Sequence, residues 1–204
     1  MIRTFLAVEL PEELRQALGH IQSEAKNRLS KDLPRHTRIQ WVVPQSIHLT
    51  LKFLGDIPEE QVAPIQGVVG EAVGRLAAFS VDVAGLGAFP HSRDPRVLWV
   101  GLTEGGSEPN QAPALVQLAS SIDQALATLG YPREARPFTP HLTLARIKEG
   151  PREVGQALAR SGVLSGRTMV GRLEVRRVAL MKSELKPSGA VYTRLWEVSL
   201  AVSG

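Results

Sequence analysis

Apolar and polar positions along this 204-residue chain switch repeatedly between the two-residue period of a strand and the 3.6-residue period of a helix. Residues 2–9, running from Ile2 through Phe5-Leu6-Ala7-Val8 to Glu9, read as a strand. Pro11 then stands at the first turn of a helix reaching about Leu29. After a polar segment with Pro34, His36 and Arg38, a strand is predicted at 39–43, and Pro44-Gln45-Ser46 turns into another at 47–54. Gly55-Asp56 closes that strand, and Pro58-Glu59-Glu60 opens a second helix to about residue 78. Segments 80–87 and 96–102 alternate or run apolar as strands, and the Gly/Pro/Ser/Asn-rich stretch 104–113 is a loop. A helix over 114–129 ends at Gly130. Thr139-Pro140 leads into a further strand, and a short helix follows at 153–161. Strands at about 171–182 and 191–202, joined by the turn Lys186-Pro187-Ser188-Gly189, finish the chain. Several strands follow one another with no helix between them. That order favours an α+β fold with largely antiparallel sheets over a parallel doubly wound one.

Within this pattern one tetrapeptide occurs twice, at His48-Leu49-Thr50-Leu51 and at His141-Leu142-Thr143-Leu144. With only five His, nine Thr and 26 Leu in the chain, chance would repeat it on the order of a few times in a thousand such chains, so internal duplication is the better reading. On a strand the two-residue step puts His and Thr on one face and the leucines on the other. Each copy therefore presents a proton-transfer group beside a hydroxyl that can bond an anion. Two such pairs facing one another would form an acid/base site for phosphate chemistry.

Composition narrows the classes. The chain is long enough to bury a core, and nothing in it reads as an interdomain linker, so residues 1–204 are expected to form one domain. Of its 24 basic residues, 18 are arginine, whose planar fork suits phosphate oxygens; a GC-rich genome or a heat-adapted surface would also produce that bias. Only two Asn and no Cys fit thermostability as well. The lack of Cys excludes disulfides, thiol catalysis and cysteine-based metal centres. No P-loop or dinucleotide fingerprint is present. The opening residues carry too short an apolar run for a signal peptide, and no stretch is long enough to span a membrane, so a cytoplasmic protein with no membrane partner is expected. His20, His36 and His91 lack the repeated frame and are expected in solvent. No Asp, Glu or third His accompanies the two strands, and zinc takes at least three protein ligands, so no metal or other cofactor is expected.

Trp41-Val42-Val43-Pro44 followed by His48-Leu49-Thr50-Leu51-Lys52-Phe53-Leu54-Gly55 resembles the first motif of the 2H phosphoesterase superfamily. Phe138-Thr139-Pro140-His141-Leu142-Thr143-Leu144-Ala145-Arg146 resembles its second. Within the superfamily the chain is most similar to the RNA 2′,3′-cyclic phosphodiesterases, long described as 2′-5′ RNA ligases. The likeness extends to the opening strand, to Phe89-Pro90 with Arg96-Val97-Leu98-Trp99-Val100, and to Ser188-Gly189-Ala190-Val191-Tyr192. It implies a bilobal fold of two pseudo-symmetric lobes, with largely antiparallel sheets flanked by helices, each lobe giving one His-x-Thr strand to a central cleft.

The resemblance further implies metal-independent opening of an RNA 2′,3′-cyclic phosphate to a 2′-phosphomonoester. In it His48 is the proton donor to the leaving 3′-oxygen and His141 the proton acceptor. Thr50 and Thr143 would hold the non-bridging oxygens, and Arg146 would supply positive charge. Strict alternation places Arg146 on the Leu142/Leu144 face rather than with His141, and Lys52 on the face of His48 and Thr50, where it would join the binding residues. Trp41 and Phe138 suit core packing better than stacking on a base. Two alternatives stand beside hydrolysis: the reverse reaction, 2′-5′ ligation, and a non-catalytic RNA-binding module. A monomer is expected, with RNA carrying a cyclic-phosphate end as its partner.

Overall fold

A computed structural model describes residues 1–105, 111–165, 169–186 and 189–202. Its strands are β1 (Ile2–Glu9), β2 (Arg38–Trp41), β3 (His48–Ile57), β4 (Phe79–Phe89), β5 (Val97–Thr103), β6 (His141–Glu149), β7 (Met169–Val175), β8 (Arg177–Lys186) and β9 (Gly189–Ser199). The helices are α1 (Glu12–Leu29), α2 (Val62–Val73), α3 (Pro113–Ala127) and α4 (Pro151–Ser161). All nine strands join one antiparallel sheet in the order β7-β4-β5-β6-β3-β1-β8-β9, with β2 also paired to β6.

The middle of that order is a pseudo-twofold. β3 and β6 meet with Leu49 opposite Leu142, and on either side lie β1, β8, β9 and β5, β4, β7. The helices cross over between halves. Although α1 connects β1 to β3, it packs against α4 and β7. Likewise α3 leads into β6 yet packs against α2 and β3. Leu6, Leu49, Leu51, Leu142 and Leu144 point from the sheet into the core and are 0–5% exposed. The side chains between them therefore face the open side of the sheet, away from the helices.

Several sequence-based boundaries change. The single strand predicted over 171–182 is two strands, β7 on β4 and β8 on β1, in opposite halves of the sheet. Only Arg176 separates them, so no Gly or Pro signals the crossover. The strand expected to stop at Gly55 continues to Ile57, because Thr4 pairs with the glycine and Arg3 and Ile2 with Asp56 and Ile57 beyond it. The second helix ends at Val73, not near 78, where Leu76 and Ala78 turn to bond the backbone of Ala201. Residues 106–110 of the predicted loop and 187–188 of the predicted last turn lie outside the described residues. Among the described residues no helix is long and apolar enough to cross a membrane.

Candidate active site

His48 and His141 are the first residues of β3 and β6, and the burial of each strand opens with the same half-buried/buried alternation. His48, Thr50, His141 and Thr143 are half-buried on the open face, with the leucines between them in the core. Pairing of Leu49 with Leu142 in an antiparallel register sets each histidine beside the other strand's threonine. The rings are oriented identically. His48 Nδ1 donates to the Ser46 carbonyl at 2.8 Å, and His141 Nδ1 to the Thr139 carbonyl at 2.7 Å. A carbonyl only accepts, so Nδ1 carries a proton in each ring and Nε2 is left for chemistry.

Strict alternation fails three residues into each motif, in both strands at the same place. Across β5 and β6, Leu98 pairs with Ala145 but Trp99 pairs with Thr143, leaving Leu144 as a bulge. Leu144 and Ala145 are both buried, and Arg146 returns to the face of His141 and Thr143. The parity that set Arg146 outside the cleft is thereby corrected. In β3 the shift between Leu6/Lys52 and Ala7/Thr50 bulges Leu51 in the same way. The consequence for Lys52 is opposite. It turns to the core face, 5% exposed, and its Nζ bonds Asp123 Oδ1 of α3 at 2.5 Å and the Pro132 carbonyl at 2.8 Å. Lys52 therefore does not join the site, because the bulge exchanged its face for that of Phe53. Phe53 occupies the position in the first motif that Arg146 occupies in the second.

Burial pushes both imidazoles below their ordinary value, and the Arg146 guanidinium pushes each in the same direction. The carbonyl bonds from Ser46 and Thr139 work against that shift. His48 alone of the two also feels Glu9, which raises it, and Arg15, which lowers it. Among the described residues no carboxylate pairs with Arg146, so its charge is free for an anion. No group of three or more His, Asp and Glu among the described residues is arranged to hold a metal ion.

The walls differ. Phe5 stacks on His48 with centroids 4.6 Å apart, and Tyr192 meets the same ring edge-on at 5.0 Å. His141 meets Phe89 edge-on at 5.1 Å, and Phe89 in turn lies 5.0 Å from Trp99. Trp99 lies so close over Gly87 that a Cβ there would sit 2.2 Å from its ring. Beside His48 opens a cleft of about 320 Å³ lined by Glu9, Arg15, Gln45, Met181 and Tyr192 among others. Arg15 Nε has no hydrogen-bond partner there. Sequence reasoning gave Phe5, Arg15 and Tyr192 no role at the site; the available signals were the alternation of β1, which sets Phe5 on the face of Glu9, and the family likeness of the opening strand and of the segment ending at Tyr192. Trp41 packs on the core below Lys26, and Phe138 packs on the core as well, as expected. His20, His36 and His91 are exposed, as expected.

A continuous antiparallel sheet that brings two His-x-Thr strands together, with an arginine on the same face, defines a two-histidine phosphoesterase, a class of enzyme. The chain belongs to the 2′-5′ RNA ligase superfamily, whose family model matches residues 10–187. It is 33% identical to an RNA 2′,3′-cyclic phosphodiesterase of Methanothermobacter thermautotrophicus over 94% of this chain and 95% of that one. It is 37% identical to a protein of the same name from Thermus thermophilus over 98% and 90% of the two chains. The fold matches a Thermus thermophilus crystal structure over the whole of both chains, with a TM-score of 0.73 and 32% identity. It also matches E. coli LigT complexed with 3′-AMP, with a TM-score of 0.69 and 25% identity over 98% of each chain.

Proposed function

We propose that this enzyme hydrolyses RNA 2′,3′-cyclic phosphate ends to 2′-phosphomonoesters, with His48 and His141 as a general acid and base. The observation that carries the reading is the matched pair of imidazoles, each with Nδ1 tied to the carbonyl two residues before it. Each Nε2 is thus free to hold or accept one proton. His141 Nε2 takes a proton from water as its oxygen attacks phosphorus. The P–O3′ bond breaks on the opposite side, and His48 Nε2–H protonates the departing 3′-oxygen, leaving a 3′-hydroxyl and a 2′-phosphate. Solvent exchange then restores both protonation states. Glu9 raises His48 and Arg15 lowers it, neither acting on His141, so the assignment of His48 as the donor rests on the family resemblance. Thr50 and Thr143 bond the non-bridging oxygens, and Arg146 offsets the charge that builds on them. The cleft beside Tyr192 and Arg15 takes the nucleoside. That relatives carry the name RNA 2′,3′-cyclic phosphodiesterase supports the substrate class.

The test is turnover of a 2′,3′-cyclic mononucleotide and of an RNA oligonucleotide with a cyclic end, before and after chelation, by the wild type, His48→Ala, His141→Ala and the double variant. Either single change should lower kcat far more than it weakens binding, with the double little worse than the worse single, because the pair acts as a unit. The product should be the 2′-monoester, and chelation should leave the rate intact. Near-normal turnover by His141→Ala would sink the paired mechanism. Joining to an added 5′-hydroxyl strand faster than hydrolysis would establish ligation instead. Tight RNA binding with no turnover would leave only a binding module.

A further inference from the structure

The bulge that delivers Arg146 is held from the core side by a residue outside both motifs. Gln22 of α1 is 2% exposed, and its amide lies beneath the junction of β2 and β6. Its Nε2 donates to the Val42 carbonyl at 2.7 Å and to the Leu144 carbonyl at 2.9 Å. Both partners are acceptors, so the nitrogen end of the amide must face them. Leu144 is the bulged residue itself, and its carbonyl also accepts from Val42 N at 2.9 Å. One buried amide thus ties α1 to β6 and to the residue that follows β2, where β6 departs from alternation. Regular pairing at Leu144 would move Ala145 to the cleft and turn Arg146 towards the core. The other bulge is supported at the same place by different chemistry: Lys52, next after Leu51, is bonded to Asp123 of α3. Only at the Leu144 bulge does the following open-face residue carry a charge.

We propose that Gln22 is a positioning residue: its two hydrogen bonds hold the Leu144 bulge in the register that keeps Arg146 on the same face of the sheet as both histidines. This rests on the phosphodiesterase reading for its effect on rate, but not for its effect on geometry. Loss of the bonds leaves the Val42 carbonyl without this donor and lets the bulge shift, and misplacement by about 1 Å far from the chemistry can cost about a hundredfold.

The experiment compares Gln22→Met, which keeps the length and loses both donors, with Gln22→Glu, which keeps the shape and turns acceptors towards two carbonyls. Each is made in the wild type and in Arg146→Ala. Three quantities are read: kcat and KM on a 2′,3′-cyclic mononucleotide, the titration of His48 and His141 by NMR, and the thermal melt. Gln22→Met should lower kcat about 10- to 100-fold, more than it raises KM, and Gln22→Glu should lower it further. Both histidines should titrate at higher pH than in the wild type as Arg146 moves away; Glu9 and Arg15, which also face His48, are untouched. In Arg146→Ala, Gln22→Met should change kcat by no more than about twofold and leave both titrations in place. A lowered melt with wild-type kcat and titrations would reduce Gln22 to a core residue and overturn the proposal, as would an equal loss of kcat with and without Arg146. If the wild type does not turn over cyclic phosphates, the activity reading fails, while the histidine titrations still decide whether Gln22 sets Arg146.

Discussion

The ring of Phe5 lies face to face with that of His48, 4.6 Å away at an interplanar angle of 27°, while Tyr192 closes on Phe5 edge-on at 5.2 Å. His141 has an edge-on neighbour in Phe89 but, among the described residues, no stacked ring. A duplicated motif therefore sits in unequal surroundings, and the inequality originates in β1, where Phe5 and Ala7 form a small apolar cluster with Ala179 and Met181.

Replacing Phe5 by Leu keeps the burial and removes the stack. An aromatic pair contributes about 0.5–1.5 kcal/mol beyond its area, which corresponds to about a 2- to 10-fold fall in kcat if it holds the His48 ring in place. Phe89→Leu should cost less, since His141 has only the edge-on contact. Steady-state kinetics on both variants checks this; an unchanged kcat in Phe5→Leu would mean that the Ser46 carbonyl and the Tyr192 edge orient His48 without the stack.

Both histidines titrate below their ordinary value of 6.5, chiefly through burial and further through Arg146. The base must be neutral and the acid protonated, so lowering both moves both limbs of the kcat/KM profile to lower pH. The optimum of the free enzyme should accordingly lie on the acid side of neutrality. Arg146→Ala removes a charge that disfavours protonation of each ring, so both limbs should move up in pH as the maximum rate falls. A profile that keeps its limbs in Arg146→Ala would place that guanidinium away from the imidazoles. Loss on a mononucleotide should match loss on an oligonucleotide, because the phosphate is common to both.

The same depression links folding to pH. A histidine whose folded value is lowered contributes stability that is present above its unfolded value, near 6.5, and is lost as pH falls through the lower folded value. Acidification from pH 7 to pH 5 should therefore destabilise the wild type more than His48→Gln or His141→Gln. Urea melts at the two pH values measure the difference, and comparison with the variants cancels the contribution of carboxylates.

Lys52 is a stability residue. Lys52→Met leaves the Asp123 carboxylate with Arg133 at 3.5 Å and the Glu134 N–H at 3.2 Å. Removing one partner of a fully buried pair costs about 3–5 kcal/mol, and half-burial of Asp123 together with its remaining donors puts this case below that range. Replacing Asp123 by Leu as well should recover part of the loss, since the carboxylate left by Lys52 is then only that of Glu134, 3.7 Å from Nζ in the wild type and exposed to water. Denaturant unfolding of the single and double variants decides it; the single variant should lose far less turnover per folded molecule than Arg146→Ala.

Local pattern determined much of this protein. The period-two step from His48 to Thr50 and from His141 to Thr143 placed those four side chains on one face, and the two copies announced the pseudo-symmetry that joins β3 to β6. Runs of strands without intervening helices announced the antiparallel sheet. The motifs offered both Arg146 and Lys52, and tertiary structure decided which of the two shares the face of the histidines. Alternation is a rule about neighbours in sequence, whereas a bulge is selected by the strands on either side and by the helix beneath. Leu144 is held by Gln22, 122 residues away in sequence, and Lys52 by Asp123, 71 residues away. The same distance in sequence hid Phe5 and Tyr192, which reach His48 only because β1 pairs with β3 and β8 carries β9 round to its edge. A one-residue slip inverts every side chain that follows it, and so Arg146 and Lys52 exchanged faces with no change in the residues that spell the motif.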